Sequence, residues 1–202
     1  MIKLINIDKA FDDKVIFSKF NLTIEDGDFV VFTGRSGCGK STILNIIGGL
    51  EKVDGGSVVI DDIDVTKRKN QRKIFNEYVN FLFQNFALIE GKTVKENLNI
   101  IPKSVREDLS IEEALQQVDL LSKRDTHVYK LSGGEQQRIA LARVILKKCK
   151  IILADEPTGS LDSENAKVVI DTLRKLNKLG KTVVLVTHNL DIIPEESKVI
   201  NL

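Results

Sequence analysis

The chain has 202 residues, 30 Lys and Arg against 29 Asp and Glu, a formal net charge of +1, and a hydrophobic fraction of 42%. That length holds one domain, or a domain with a lobe, and buries roughly 70% of the surface an unfolded chain exposes. The near-neutral balance offers no general field for nucleic acid or anionic lipid. No apolar run approaches the ~20 residues of a membrane span, and the two cysteines, Cys38 and Cys149, lack the spacing of a metal site or disulfide framework.

In chain order, the first 28 residues read as antiparallel strands, turning near Asp12–Lys14 and again at Glu25–Asp28. Lys3, Asn6 and Asp8 break up the N-terminus, so it carries no signal-peptide core and the expected setting is cytoplasmic. FVVFT, Phe29–Thr33, is a continuous β-branched apolar run of the kind that is buried on both faces of a parallel sheet. STILNIIGGL, from Ser41, reads as a helix, and Gly55–Val65 as a short hairpin. From about Val94 to Lys148 the long β-branched runs cease. IEEALQQVDLL and EQQRIALARVIL are helical in pattern, which predicts a helical lobe, about residues 88–148, inserted in an α/β core. Two more buried-strand runs follow, Ile151–Asp155 and Thr182–Thr187. Between them Ala166, Val169, Ile170 and Leu173 mark one face of a helix that stops at Gly180.

Gly34–Ser41, GRSGCGKS, fits G-x-x-x-x-G-K-[ST] between a strand and a helix. Backbone N–H groups of Gly34, Arg35, Ser36, Gly37, Cys38 and Gly39 would wrap phosphates at a helix N-terminus. Lys40 would reach the terminal phosphates, Ser41 would offer its hydroxyl to Mg²⁺, and Thr42 would donate to the α-phosphate. The motif predicts a P-loop NTPase fold, a RecA-like α/β core beside an antiparallel β subdomain. Asp155 ends a buried strand, where a carboxylate enters the Mg²⁺ shell, and Glu156 follows as a candidate general base. His188 follows the third buried strand at its carboxyl end. His127 has no such context. A second glycine-rich helix start, KLSGGEQQR at Lys130–Arg138, offers Ser132 as N-cap and Glu135 as its capping-box partner.

Taken together these residues resemble the ATP-binding subunits of ABC transporters, over the whole chain, and LSGGEQQR is similar to the signature motif of that family. The resemblance implies that Gln84, in FLFQNFALI, is the Q-loop glutamine contacting Mg²⁺ and the attacking water. It implies that Ser160–Asp162 is the loop crossing between subunits, and His188 the switch histidine. Phe11 matches the adenine-stacking aromatic, usually a tyrosine; a core phenylalanine is the other reading. Ser132, Gly133 and Gly134 would then hold the γ-phosphate of an ATP bound to a partner's phosphate loop, in a head-to-tail homodimer. An ordinary capping box is the plainer alternative and is compatible with it.

The stretches STILNIIGGLEKVDGGSVVIDDIDV and FQNFALIEGKTVKENL look like the branch serving lipoprotein release and macrolide, peptide and bacteriocin export. The implied function is ATP hydrolysis, with ATP and Mg²⁺, that powers an exporter. The transmembrane permease would lie on a separate polypeptide docked at Phe86–Asn99, at the inner face of the cell membrane; for each of Phe86, Leu88 and Ile89, a place in the core of the lobe is the other reading. A regulatory ATPase of the cell-division type, signalling without transport, is the alternative.

Overall fold

In the computed structural model, which describes residues 1–202, the alternating N-terminal residues form a four-stranded antiparallel sheet. Its strands are β1 (Ile2–Phe11), β2 (Lys14–Ile24), β4 (Gly55–Ile60) and β5 (Ile63–Asp64), in the order β2-β1-β4-β5. Ile2 and Leu4 of β1 point inward on the period of two, and a register shift around Asn6, at a left-handed φ of 49°, brings Ile7 to the same side. The expected turns lie where the sequence placed them.

The continuous apolar runs become the centre of a parallel sheet. Its strands are β3 (Phe29–Thr33), β6 (Val79–Leu82), β7 (Ile151–Asp155), β8 (Thr182–Val186) and β9 (Lys198–Asn201), ordered β6-β7-β8-β3-β9. Their side chains divide between two cores. Val30, Phe32, Leu153 and Val184 pack with α1 (Lys40–Ile47) and the antiparallel sheet. Val31, Ile152, Val183 and Leu185 pack with α5 (Gly133–Leu146) and α6 (Ser163–Lys178) on the other face. Burial on both faces is why these strands show no polar alternation.

Between β6 and β7 the chain forms α3 (Val94–Asn99), α4 (Ile111–Gln116), α5 and three 3₁₀ turns. Each of these three α-helices starts with a capping box: Thr93 with Glu96, Ser110 with Glu113, and Ser132 with Glu135. The expected helix through IEEALQQVDLL is shorter than its pattern. It ends at Gln116, where Asp119 takes a left-handed φ of 56° and the Leu120 N–H donates back to Leu115 at 2.9 Å.

Four elements were not foreseen. α2 (Arg68–Lys73) runs into a π-helical turn over Ile74–Tyr78, and that turn delivers the chain to β6. β9 is an exposed edge strand. Carboxyl ends of β3, β7 and β8 come out along one rim, where open α/β sheets place their ligands.

Candidate nucleotide site

Gly34–Gly39 leaves β3 and returns as α1. Gly39 is the N-cap at φ 105°, and a Cβ there would lie 2.5 Å from Ile16 Cγ2 and 2.9 Å from Phe17 Cζ. Only glycine passes beneath β2 at this point. No acidic residue occupies the first turn of α1, so its free amides and positive dipole end are left for an external anion. The Lys40 ammonium spans the loop, donating to the carbonyls of Gly34 and Arg35 at 2.8 and 2.9 Å. Cys38 Sγ lies 3.9 Å from it. Lys14 adds a second ammonium, which donates to Gly37 O at 2.9 Å.

Above the loop is a cleft of about 630 Å³ whose walls include Phe11, Ser36, Lys40, Thr42 and Glu156. Phe11 is 44% exposed, with the Lys9 ammonium 4.5 Å from its ring centroid. It is a rim residue of this cleft, and the core alternative is excluded.

The carboxylates arrive from β7. Ser41 Oγ donates to Asp155 Oδ1 at 2.9 Å, across 114 residues of sequence. Burial pushes the Asp155 carboxyl above its usual range, the Ser41 hydrogen bond opposes that, and the neighbouring charge of Glu156 adds to it. Glu156 sits at a left-handed φ of 43°, its N–H donating to Val186 O at 3.0 Å. Its Oε2 is buried, 3.0 Å from His188 Nδ1 without an aligned hydrogen bond. His188 itself is 69% exposed. Gln84, leaving β6, lines a neighbouring hollow with Asp155 and Ser160.

These groups are hard oxygen donors in pairs, and no cluster of three or more His, Cys, Asp or Glu side chains is present. That set suits a small, hard divalent cation sharing its shell with phosphates and water.

The second glycine-rich segment lies elsewhere. None of Ser132, Gly133 and Gly134 lines the cleft. Ser132 caps α5, accepting from Glu135 N at 3.2 Å while its own N–H donates to Glu135 Oε2 at 2.8 Å. Above Gly133 a Cβ would meet nothing within 4 Å. At Gly134 it would lie 2.8 Å from Asn165 Nδ2. Gly134 thus has an internal reason to be glycine, which the sequence reading had assigned to ligand approach alone. Asp162 caps α6, accepting from Asn165 N at 2.8 Å and Asn165 Nδ2 at 2.7 Å.

Sequence reasoning missed a set of positioning contacts. Buried Gln137 donates to Pro157 O at 2.6 Å, Arg138 donates to Asn165 Oδ1 at 2.6 Å, and Arg143 donates to the carbonyls of Phe86 and Ala87. The acceptors are mostly backbone atoms, which leave no residue-type signature.

Residues 17–159 match the ABC transporter family. Over 209 residues the chain is 39% identical to the macrolide export ATP-binding/permease protein MacB of Campylobacter jejuni subsp. jejuni serotype O:2, covering all of this chain and 33% of MacB. The chain therefore spans about a third of the length of that relative. It is 38% identical over 195 residues to the spermidine/putrescine import ATP-binding protein PotA of Shigella dysenteriae serotype 1, covering 94% of this chain and 50% of PotA. Its fold matches the dimeric structure of a post-hydrolysis state of the ATP-binding cassette MJ0796, bound to ADP and Pi. The TM-score is 0.86 at 36% identity, covering all of this chain and 94% of that one. A chain so matched over most of its length belongs to the ABC transporter family, as one of its ATP-binding, ATP-hydrolysing domains.

Proposed function

We propose that two copies of this chain close head to tail on two ATP molecules and use their hydrolysis to drive a membrane permease that exports its cargo. In each site one copy supplies the phosphate loop, Asp155, Glu156, Gln84 and His188, and the other supplies Ser132–Gly134. Phe11 stacks on the adenine. Lys40 turns from its own loop carbonyls to the terminal phosphates, and the amides of α1 bind the rest.

Ser41, Asp155 and Gln84 would hold Mg²⁺, which when bound draws charge off the β- and γ-phosphates. Glu156 accepts the proton of the attacking water. His188, its Nδ1 3.0 Å from that carboxylate and its ring exposed, would meet the γ-phosphate. The Phe86–Asn99 surface takes the permease, which carries the membrane contact at the inner face. The likeness of FQNFALI to the export branch and the similarity to MacB support export, while the similarity to the importer PotA fits either direction.

The observation that carries this reading is the separation of the two glycine-rich helix starts. Ser132 and Gly133 are exposed and lie outside the phosphate cleft of their own chain. A phosphate bound at the capped end of α5 therefore comes from another molecule.

Two inactive variants test it. Lys40→Ala removes the loop cation. Gly133→Asp puts a carboxylate at the signature without touching Asn165, and an acidic residue in a first helical turn does not destabilise the helix. Neither variant alone should trap nucleotide. Differently tagged and mixed, they should form a dimer with one sound composite site that occludes nucleotide. Mixed dimers that trap none, or a Gly133→Asp homodimer that traps as the wild type does, would overturn the shared site.

A further inference from the structure

The geometry assigns Arg143 as a positioning residue that clamps a strained kink in the Gln84 loop and so fixes the glutamine's distance from the nucleotide. Phe86 and Ala87 are consecutive non-glycine residues at left-handed φ, 62° and 48°. Such residues are sparsely populated in free chains and persist where their surroundings over-determine them. Here the local turn hydrogen bonds are Phe86 N–H to Phe83 O at 3.1 Å and Ala87 N–H to Asn85 O at 2.6 Å. Phe86 and Leu88 pack on the core, Asn97 bonds both backbone groups of Ile89, and the restraint on the kink's own carbonyls comes from α5. Arg143 Nη1 donates to Ala87 O at 2.6 Å and Nη2 to Phe86 O at 2.8 Å. One planar fork thus holds both carbonyls of the kink, a match that a lysine point charge cannot make. Burial acts on this guanidinium and holds its pKa below that of a free arginine, with no acidic partner to offset it. A half-buried cation bonded only to carbonyls is spent on the backbone geometry.

Gln84 lies two residues before the kink, and the proposed docking segment begins at it. The clamp therefore sets how movement of that segment reaches Gln84. This rests on the reading of Gln84 as a residue acting at the nucleotide.

The experiment measures steady-state ATPase rates of the purified chain. Arg143→Gln should lower kcat at least about tenfold, since misplacing a reacting group by ~1 Å costs on the order of 10²-fold. KM for ATP should stay within about twofold, because the cleft is untouched. Adding Ala87→Gly makes the left-handed turn accessible without the clamp, and the double variant should recover most of the lost rate. A merely structural arginine would not be rescued by a glycine in the loop. Should Arg143→Gln unfold, Arg143→Lys keeps the packed stem, and its smaller loss should again be reversed by Ala87→Gly. An unchanged kcat in Arg143→Gln, or a loss the glycine does not reverse, overturns the clamp. Gln84→Ala separates the two levels. If it is slow while Arg143→Gln is normal, only the clamp falls; if Gln84→Ala is itself normal, the reading beneath falls with it.

Discussion

Glu156→Gln removes one negative charge and almost no volume from the centre of the site. The amide can keep the left-handed backbone, because the Glu156 N–H to Val186 O hydrogen bond at 3.0 Å involves no side-chain atom. It can also keep the contact that Oε2 makes at 3.0 Å with His188 Nδ1. The Ser41–Asp155 hydrogen bond is untouched. Because the Glu156 charge helps hold the Asp155 carboxyl above its usual range, its removal makes Asp155 ionise more readily, and cation binding should not weaken. What is lost is the proposed proton acceptor, worth roughly 10²–10⁴ in rate, or about 3–5.5 kcal/mol of barrier at 1.36 kcal/mol per decade. Nucleotide affinity should stay within about twofold, so the loss falls on kcat. Single-turnover hydrolysis with enzyme in excess isolates this step, and gel filtration with MgATP should show the variant accumulating as dimer. Turnover within about threefold of the wild type would remove Glu156 from the base role, because a general base typically contributes about 10²–10⁴-fold.

Two further outcomes follow from packing in and around the phosphate loop. Gly48→Ala should cost about 1–3 kcal/mol by overpacking, because its Cβ would lie 2.1 Å from Phe81 Cζ and 2.9 Å from Leu153 Cδ1; a thermal melt should fall by roughly 2–4 °C per kcal/mol, and an unchanged midpoint would mean that Phe81 yields freely. Cys38, half-exposed 3.9 Å from the Lys40 ammonium, should be the thiol that maleimide labels, since Cys149 is buried and its pKa is raised by burial; MgATP should slow that labelling, and equal rates would mean the loop is not covered by phosphates.

The parallel sheet was legible where burial on both faces left uninterrupted β-branched runs, as in FVVFT and IILAD. β6 escaped because its second residue is Asn80, a polar side chain buried for a purpose: its amide donates to Val144 O at 3.3 Å. β9 escaped for the opposite reason, since an edge strand with exposed Lys198 and Val199 has no apolar run to read. The phosphate loop, Asp155 and the capped start of α5 were legible because their chemistry demands particular residue types at fixed spacing. The Arg143 clamp was not, because a guanidinium serving two carbonyls leaves no trace in the residues it serves. Gly134 was read correctly as glycine and for an incomplete reason, since Asn165 on α6 is invisible from the signature alone.

The capped start of α5 is tied through one helix to the loops that carry Glu156, Asp162 and Gln84. α5 has 14 residues, a rod of about 21 Å at 1.5 Å per residue. Ile139, Ala140, Leu141, Ala142 and Val144 are all buried, so it has no solvated face on which to slide. Its turns are tied to different loops. Gln137 holds Pro157 beyond Glu156, and Arg138 holds Asn165, which in turn holds Asp162. Arg143 holds the Gln84 loop, and Lys147 donates to Phe75 O and Val79 O at the entry to β6. A helix can pass a displacement along its axis without absorbing it, because its hydrogen-bonded backbone has few soft torsions once packed. Under the proposed function, a phosphate held at Gly133 and Gly134 would therefore not move its own end of the helix alone. It would carry the Asp162 cap and the Gln84 kink with it, which would give the proposed docking surface a mechanical reason to sense nucleotide it never touches.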